Sequence, residues 1–228
     1  VRDPSLVGAV LTTFASEDLI LLPHRCAYWP RERTLFLADA HLGKTATFRD
    51  AGIPIPRGTT STDLTRLADA LDLTGAQRLV VLGDLLHHKR GLDAPTIDAF
   101  TAWRAQRPDL HIALIRGNHD RAAGDPPSDW RIECLSGPVD LAPFRLVHEP
   151  PDHDEPVDAP TLAGHIHPCV RLHGAGRQSM RAACFFFSRN LALFPAFGSF
   201  TGSHRLSPRV GDRVYAVGDD RVIEVKTS

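Results

Sequence analysis

Leu79-Val80-Val81-Leu82-Gly83-Asp84 is an apolar run of strand length that stops on a glycine and a carboxylate. The same form recurs along the chain. Leu35-Phe36-Leu37-Ala38 stops at Asp39-Ala40-His41, and His111-Ile112-Ala113-Leu114-Ile115 stops just before Gly117-Asn118-His119-Asp120. Phe144-Arg145-Leu146-Val147 stops at His148, and Thr161-Leu162-Ala163 stops at Gly164-His165-Ile166-His167. Short apolar runs bounded by turn residues read as buried strands. Each polar cluster therefore sits just past the carboxyl end of a strand, where open α/β sheets gather their ligands. Five strands can bring side chains distant in sequence to one place, and this repeated placement predicts a single site.

Helical stretches fit between the strands. Residues 60–73 carry Leu64, Leu67, Ala68 and Leu71 at helical spacing, with Thr60 to Thr62 as N-cap candidates and Gly75 as a stop. Residues 95–106 place Ile97, Phe100, Ala102 and Trp103 on a helix, with Pro95 suited to the first turn. After Gly164 the pattern turns to short strands at 170–172, 184–187, 191–194, 214–217 and 222–225. Earlier strands around 7–11 and 19–22 are expected at a sheet edge. The sum is a layered α/β (α+β) sandwich, two packed sheets with helices outside, in a single domain spanning 1–228.

The chain has 228 residues, 43% of them hydrophobic, enough for one sizeable core. No apolar run approaches the roughly 18–20 residues of a membrane span. No secretory pattern opens it, so a cytoplasmic location is expected. Cys26, Cys134, Cys169 and Cys184 form no C-x-x-C pair. This supports neither a zinc ribbon nor a thioredoxin-type motif and leaves them as small buried apolar residues. A net charge of −1 gives no global drive toward nucleic acid. Locally the balance differs. Residues 159–211 contain no Asp or Glu but hold Arg171, Arg177, Arg181, Arg189, Arg205 and Arg209, beside an acidic stretch at 149–158. Two readings stay open, a face that steers a polyanion and an ordinary solvated basic face.

The clusters have the composition that two adjacent divalent cations require: carboxylates, imidazoles, one amide oxygen and one carboxylate shared between the ions. Such a pair polarises a phosphoryl group and makes hydroxide from water near neutral pH. Asp39 and His41 alternate along one strand end and reach the same side. Asp84 is the candidate bridge, since a bridging ligand needs carboxylate oxygens. Asn118 offers a neutral oxygen. His119 can give a proton to a leaving oxygen, with Asp120 expected to hold its imidazole. His148, His165 and His167 complete the set.

These blocks, D-x-H, G-D, G-N-H-D, H and G-H-x-H in this order, resemble the calcineurin-like metallophosphoesterase superfamily from Asp39 to His167. The resemblance implies a four-layer sandwich of two mixed sheets flanked by helices. It also implies one ion on Asp39, His41, Asp84 and His167, a second on Asp84, Asn118, His148 and His165, and His119 and Asp120 in catalysis. The two ions would be manganese by this analogy, with iron or zinc also suited to nitrogen and oxygen donors. A narrower resemblance, to bacterial ligase-associated DNA-damage-response phosphodiesterases or endonucleases, rests on three stretches. They are Ala38-Asp39-Ala40-His41-Leu42-Gly43-Lys44 with Phe48-Arg49, Gly52-Ile53-Pro54-Ile55-Pro56-Arg57-Gly58, and Leu193-Phe194-Pro195-Ala196-Phe197-Gly198-Ser199-Phe200-Thr201-Gly202. Arg181-Ala182-Ala183-Cys184-Phe185-Phe186-Phe187 departs from that group, where Pro-Cys and Trp are commoner. The narrower resemblance implies DNA as substrate, a repair setting, and ligase, helicase or nuclease partners.

Lys44, Arg49 and Arg57 follow the first block and are the candidates for binding substrate phosphates. His87 and His88 read as structural or surface residues. Phe185, Phe186, Phe187, Phe194, Phe197 and Phe200 read as core packing before a base-stacking wall. Two rival functions remain: a phosphomonoesterase or nucleotide pyrophosphatase using the same ions, and a non-catalytic protein-binding scaffold of the same fold.

Overall fold

Strand alternation divides the apolar residues between two cores. In a computed structural model that describes residues 6–50, 52–55, 58–151, 157–173 and 178–226, β4 (Thr34–Leu37), β5 (Arg78–Val81) and β6 (His111–Ile115) lie side by side and parallel. Leu35, Leu37, Leu79, Val81, Ile112 and Leu114 point to one face. Phe36, Val80, Ala113 and Ile115 point to the other. A strand buried on both faces needs this continuous apolar run rather than an alternating one.

The outer face carries the helices. Leu64, Leu67, Ala70 and Leu71 of α2 (Thr59–Thr74) and Phe100 and Trp103 of α3 (Ala94–Ala105) fill it. Gly75, in the left-handed region at φ 63°, ends α2, and the Asp93 carboxylate caps α3 by accepting the Thr96 N–H at 3.0 Å. The inner face meets the second sheet through a set of aromatic rings. Phe144 stacks on Phe14 at 5.9 Å between centroids and meets Trp29 edge-on at 5.0 Å, and Phe36 meets Phe194 at 6.4 Å.

The first sheet has seven strands in sequence order. β1 (Val10–Phe14), β2 (Glu17–Leu22) and β3 (Cys26–Trp29) pair antiparallel up to β4, and β5, β6 and β7 (Ile132–Leu135) continue in parallel. The second sheet has nine strands. Its centre holds β9 (Phe144–Leu146), β10 (Thr161–Ala163) and β13 (Leu191–Leu193) in parallel, followed by β12 (Ser179–Phe187) antiparallel to β13. The layered α/β sandwich of two mixed sheets with helices outside is thus the observed architecture.

Two expected strands differ from what is found. The strand placed at 7–11 begins at Val10, because Gly8 turns at φ 80° and an Ala9 N–H to Leu6 carbonyl bond of 3.1 Å closes that turn. The strand placed at 184–187 begins at Ser179. Its polar first half pairs with β11 (Pro168–His173) and carries no apolar run to betray it.

The aromatic seam predicts one stability effect. Phe144→Ala should lower unfolding free energy by about 3–5 kcal/mol, the usual cost of a large-to-small change in a packed core. Urea denaturation followed by tryptophan fluorescence measures it.

Candidate metal centre

The backbone conformation marks the site before any side chain is considered. Ten non-glycine residues among those described have positive φ, and five are Asp39 (56°), His41 (48°), Asp84 (52°), His165 (69°) and His167 (51°). A left-handed backbone costs an L-residue roughly 1–2 kcal/mol. At a strand end it swings the side chain out of the sheet's alternation into the space beyond. Hydrogen bonds between the loops hold it there. The Asp39 N–H donates to Gly83 at 3.0 Å, His41 N–H to the Asp84 carbonyl at 2.9 Å, Gly198 N–H to the Asp39 carbonyl at 3.0 Å, and His204 N–H to the His167 carbonyl at 2.9 Å. Strain concentrated on residues that share one cavity is characteristic of functional sites.

Two glycines are fixed by closeness. A Cβ on Gly83, which also has φ 81°, would run into the His148 imidazole. A Cβ on Gly117 would overlap the Asp84 carboxylate. Any larger residue would push a candidate ligand out of place.

The side chains form two groups joined at one oxygen. In the first, His167 Nε2 lies 3.2 Å from Asp39 Oδ1 and 3.3 Å from His41 Nε2, and His41 Nε2 lies 3.9 Å from Asp84 Oδ2. In the second, His148 Nε2 lies 3.4 Å from the same Asp84 Oδ2, 3.1 Å from Asn118 Oδ1 and 3.2 Å from His165 Nδ1. The other oxygens of the two aspartates are tied to backbone. Asp84 Oδ1 accepts the His119 N–H at 2.9 Å, and Asp39 Oδ2 accepts the His165 N–H at 2.9 Å. All seven residues expected to ligate are therefore brought to one place.

This arrangement fits cations. His148 Nδ1 donates to the Leu82 carbonyl at 2.9 Å, and His167 Nδ1 donates to the Gly202 carbonyl at 3.1 Å. Because a carbonyl only accepts, both rings keep a proton on Nδ1, and their neutral forms aim a lone pair from Nε2 at the neighbouring oxygens. Asp39 Oδ1, fully buried, has no hydrogen-bond partner. Acceptors facing acceptors in a buried space are repulsive unless positive charge lies between them. Nitrogen and oxygen donors without sulfur suit a divalent transition metal.

The ionisation of these groups points the same way. Burial pushes the His41 imidazolium down to about 2, against the pull of Asp84, so the ring is neutral and free to ligate. Burial also disfavours the Asp84 carboxylate, yet the hydrogen bond and charge of His148, with His41 and the His119 N–H, hold it below the usual range. His148 is the counterpart. Burial opposes its protonation, but Asp84 and Asp39 outweigh that and raise it.

Comparison with known proteins follows the same line. No family model and no curated protein matches the chain. Among solved structures, the nuclease MPE of Pseudomonas putida is 36% identical, with a TM-score of 0.81 over 94% of this chain and 100% of that one. Yfce, a phosphoesterase from E. coli, aligns over 86% of this chain and 99% of that one at 18% identity and a TM-score of 0.40, too loose to carry an argument.

The chain belongs to the metallophosphoesterases. It is accordingly a hydrolase of phosphate esters.

Beside these candidate ligands of the metallophosphoesterase, His119 sits on α4 (Asn118–Ala123) with its Nδ1 donating to the His87 carbonyl at 2.8 Å. Its Nε2 is therefore the atom left for chemistry. The role expected for Asp120 is corrected here. Its carboxylate does not touch the imidazole of His119. Oδ1 accepts the Leu86 N–H at 2.9 Å and Oδ2 accepts the Gly117 N–H at 3.0 Å, so it fixes the backbone of two ligand loops. Burial raises its ionisation range, and those two N–H bonds work against this. The orienting acceptor for His119 is the His87 carbonyl. The His87 ring also stacks on His119 at 4.7 Å and meets His41 edge-on at 5.4 Å. His41, His87 and His119 together form a third set of closely spaced potential ligand atoms. The sequence signal was the His87-His88 pair, which its position three residues past Asp84 did not separate from a surface pair.

Of the phosphate-binding candidates, Lys44 opens α1 (Lys44–Asp50) half-buried, with its ammonium depressed by burial and supported by Asp39 and Asp84. Arg49 lies 3.9 Å from the Asp93 carboxylate. Arg57 lies outside the described residues. Phe185, Phe187, Phe194 and Phe197 are core residues, whereas Phe200 is 43% exposed. All four cysteines are free, and Cys26, Cys169 and Cys184 are buried.

Two outcomes are expected. Gly83→Ala should displace His148 and lower metal content measured by elemental analysis, while circular dichroism stays native. Asp120→Ala leaves two buried N–H groups without an acceptor and should cost about 2–6 kcal/mol in urea denaturation, at roughly 1–3 kcal/mol for each group.

Proposed function

We propose that this metallophosphoesterase is a two-metal phosphodiesterase that cleaves nucleic acid, with DNA in a repair setting in the cytoplasm as its natural task. The observation that carries the reading is Asp84 Oδ2, which faces His41 in one group of donors and His148 in the other. One ion would be held by Asp39, His41, Asp84 and His167, the other by Asp84, Asn118, His148 and His165, manganese being the metal we expect. When bound, the pair supplies Lewis acidity toward phosphoryl oxygens and water.

The protein's own groups do the rest. His119, held through Nδ1, moves a proton at Nε2 and passes it to the departing ester oxygen. The His87 ring keeps the imidazole plane in place by stacking. Lys44 adds positive charge next to the two aspartates, where a substrate phosphate would lie. The nuclease named among the similar structures supports nucleic acid as substrate. Ligase, helicase or nuclease partners follow from the narrower sequence resemblance alone.

The test is a manganese-dependent assay on single-stranded, duplex and nicked DNA, run beside mono- and diester dyes. Activity confined to monoesters would replace this reading with a phosphomonoesterase, and full metal loading without turnover would favour a scaffold. His119→Ala should keep its metal and lose about 10²–10⁴-fold in kcat, the usual contribution of a positioned acid or base. Asp84→Asn should lose metal from both groups by elemental analysis; unchanged metal content would refute the bridge.

A further inference from the structure

We propose that Arg171, Arg181 and Arg205 form a nucleic-acid-binding face that holds backbone phosphates beside the metal cleft. The proposal rests on nucleic acid being the substrate.

β11 starts at Pro168, the residue after His167, and runs antiparallel to the first half of β12. In this register Arg171 lies directly opposite Arg181. On the other side of β11, β14 (His204–Arg205) runs parallel, with Arg205 opposite Cys169. Residues two apart on a strand share a face, so Cys169 and Arg171 look the same way, and their partners Arg205 and Arg181 look with them. Three arginines from three adjacent strands therefore share one face. Further along β12 that face continues into Phe185 and Phe187, which belong to the core between the sheets. The arginine face is thus the extension of the side that looks across to the first sheet and its ligand loops. β14 is anchored at the site itself, since the His204 N–H donates to the His167 carbonyl at 2.9 Å.

All three arginines are exposed, and none pairs with a carboxylate among the described residues. No Asp or Glu occurs anywhere from residue 159 to 211. Like charges directly opposite on paired strands destabilise a sheet. Elsewhere this chain pairs such arginines: Arg145 meets Asp140 across β9 and β8 (Val139–Leu141) at 3.0 Å. A cross-strand Arg–Arg pair left without a carboxylate suits a row of phosphates. Guanidinium groups bind phosphate oxygens in a two-toothed fork, and adjacent strands about 4.8 Å apart offer spacing that a flexible backbone can follow. Contacts of this kind position a chain without reading its bases.

The test compares the triple variant R171Q/R181Q/R205Q with its parent, both in a His119→Ala background loaded with manganese so that the probe is not cut. The readout is binding of a fluorescein-labelled single-stranded oligonucleotide across a salt series. The slope of log K against log salt should flatten by about two to three, at roughly 0.7–0.9 for each phosphate no longer neutralised. In the active background, the ratio of oligonucleotide cleavage to chromogenic diester hydrolysis should fall. Arg171→Gln alone should raise Tm in the absence of nucleic acid, by relieving the like-charge pair. An unchanged slope overturns the face and leaves the phosphodiesterase standing. A parent that hydrolyses the diester but binds no oligonucleotide overturns both this face and the choice of substrate. A fall in Tm for Arg171→Gln would assign the arginines to bracing the hairpin, which also overturns the proposal.

Discussion

Two buried aspartates, each with one oxygen pinned by a backbone N–H and the other facing imidazole nitrogens, set the terms for the rest of the molecule. Asp39 and Asp84 are almost completely buried. A carboxylate removed from water is costly unless positive charge or donors surround it. Here the donors are spent on Oδ1 of Asp84 and Oδ2 of Asp39, and the remaining oxygens look into a space lined by further acceptors. The chain tolerates this only because the surrounding loops are locked. The left-handed backbones at Asp39, His41, Asp84, His165 and His167 are the local cost of turning those side chains inward.

The parallel strands make that locking possible. Because β4, β5 and β6 are buried on both faces, they are fixed in register by two cores at once. The loops that carry the candidate ligands then bond to one another. A second brace comes from the segment after β13. The Phe197 and Gly198 N–H groups donate to the Ala38 and Asp39 carbonyls at 2.8 and 3.0 Å, and the Gly202 carbonyl orients His167. That segment is clamped to α2: the Ser199 hydroxyl donates to Asp63 at 2.5 Å, and Arg66 lies over the Phe197 ring and donates to the Phe197 carbonyl. α2, which carries none of the candidate ligands, thus helps brace Asp39 and His167.

This explains which parts were legible in the sequence. The strands that end on ligands were readable because double burial demands an uninterrupted apolar run and the site demands a polar stop. The helices α2 and α3 were readable from spacing, since one face alone must be apolar. The first half of β12 was not, because its residues 179–181 are exposed and alternate nothing. Nor was the duty of Asp120, since a carboxylate beside a histidine reads as its partner until the two N–H groups it satisfies, at Gly117 and Leu86, are placed in space. His87 was hidden for a related reason. It acts through its carbonyl and its ring face, and neither property depends on a spacing that a sequence pattern could display.

The balance of charge then fixes an order of events. Asp39 and Asp84 bring negative charge to a cluster in which His41 and Asn118 are neutral, offset in part by Lys44 and by His148, whose protonation the two aspartates favour. A phosphate ester entering that space would meet repulsion. Two divalent cations would reverse the sign, since their charge exceeds that of the carboxylates that hold them. Substrate affinity at the cleft would be a property of the loaded site, whereas the arginines of the β11–β12 hairpin would attract a polyanion whether or not metal is present. Attraction to the surface and attraction to the cleft would then be separate, the first governed by salt and the second by metal.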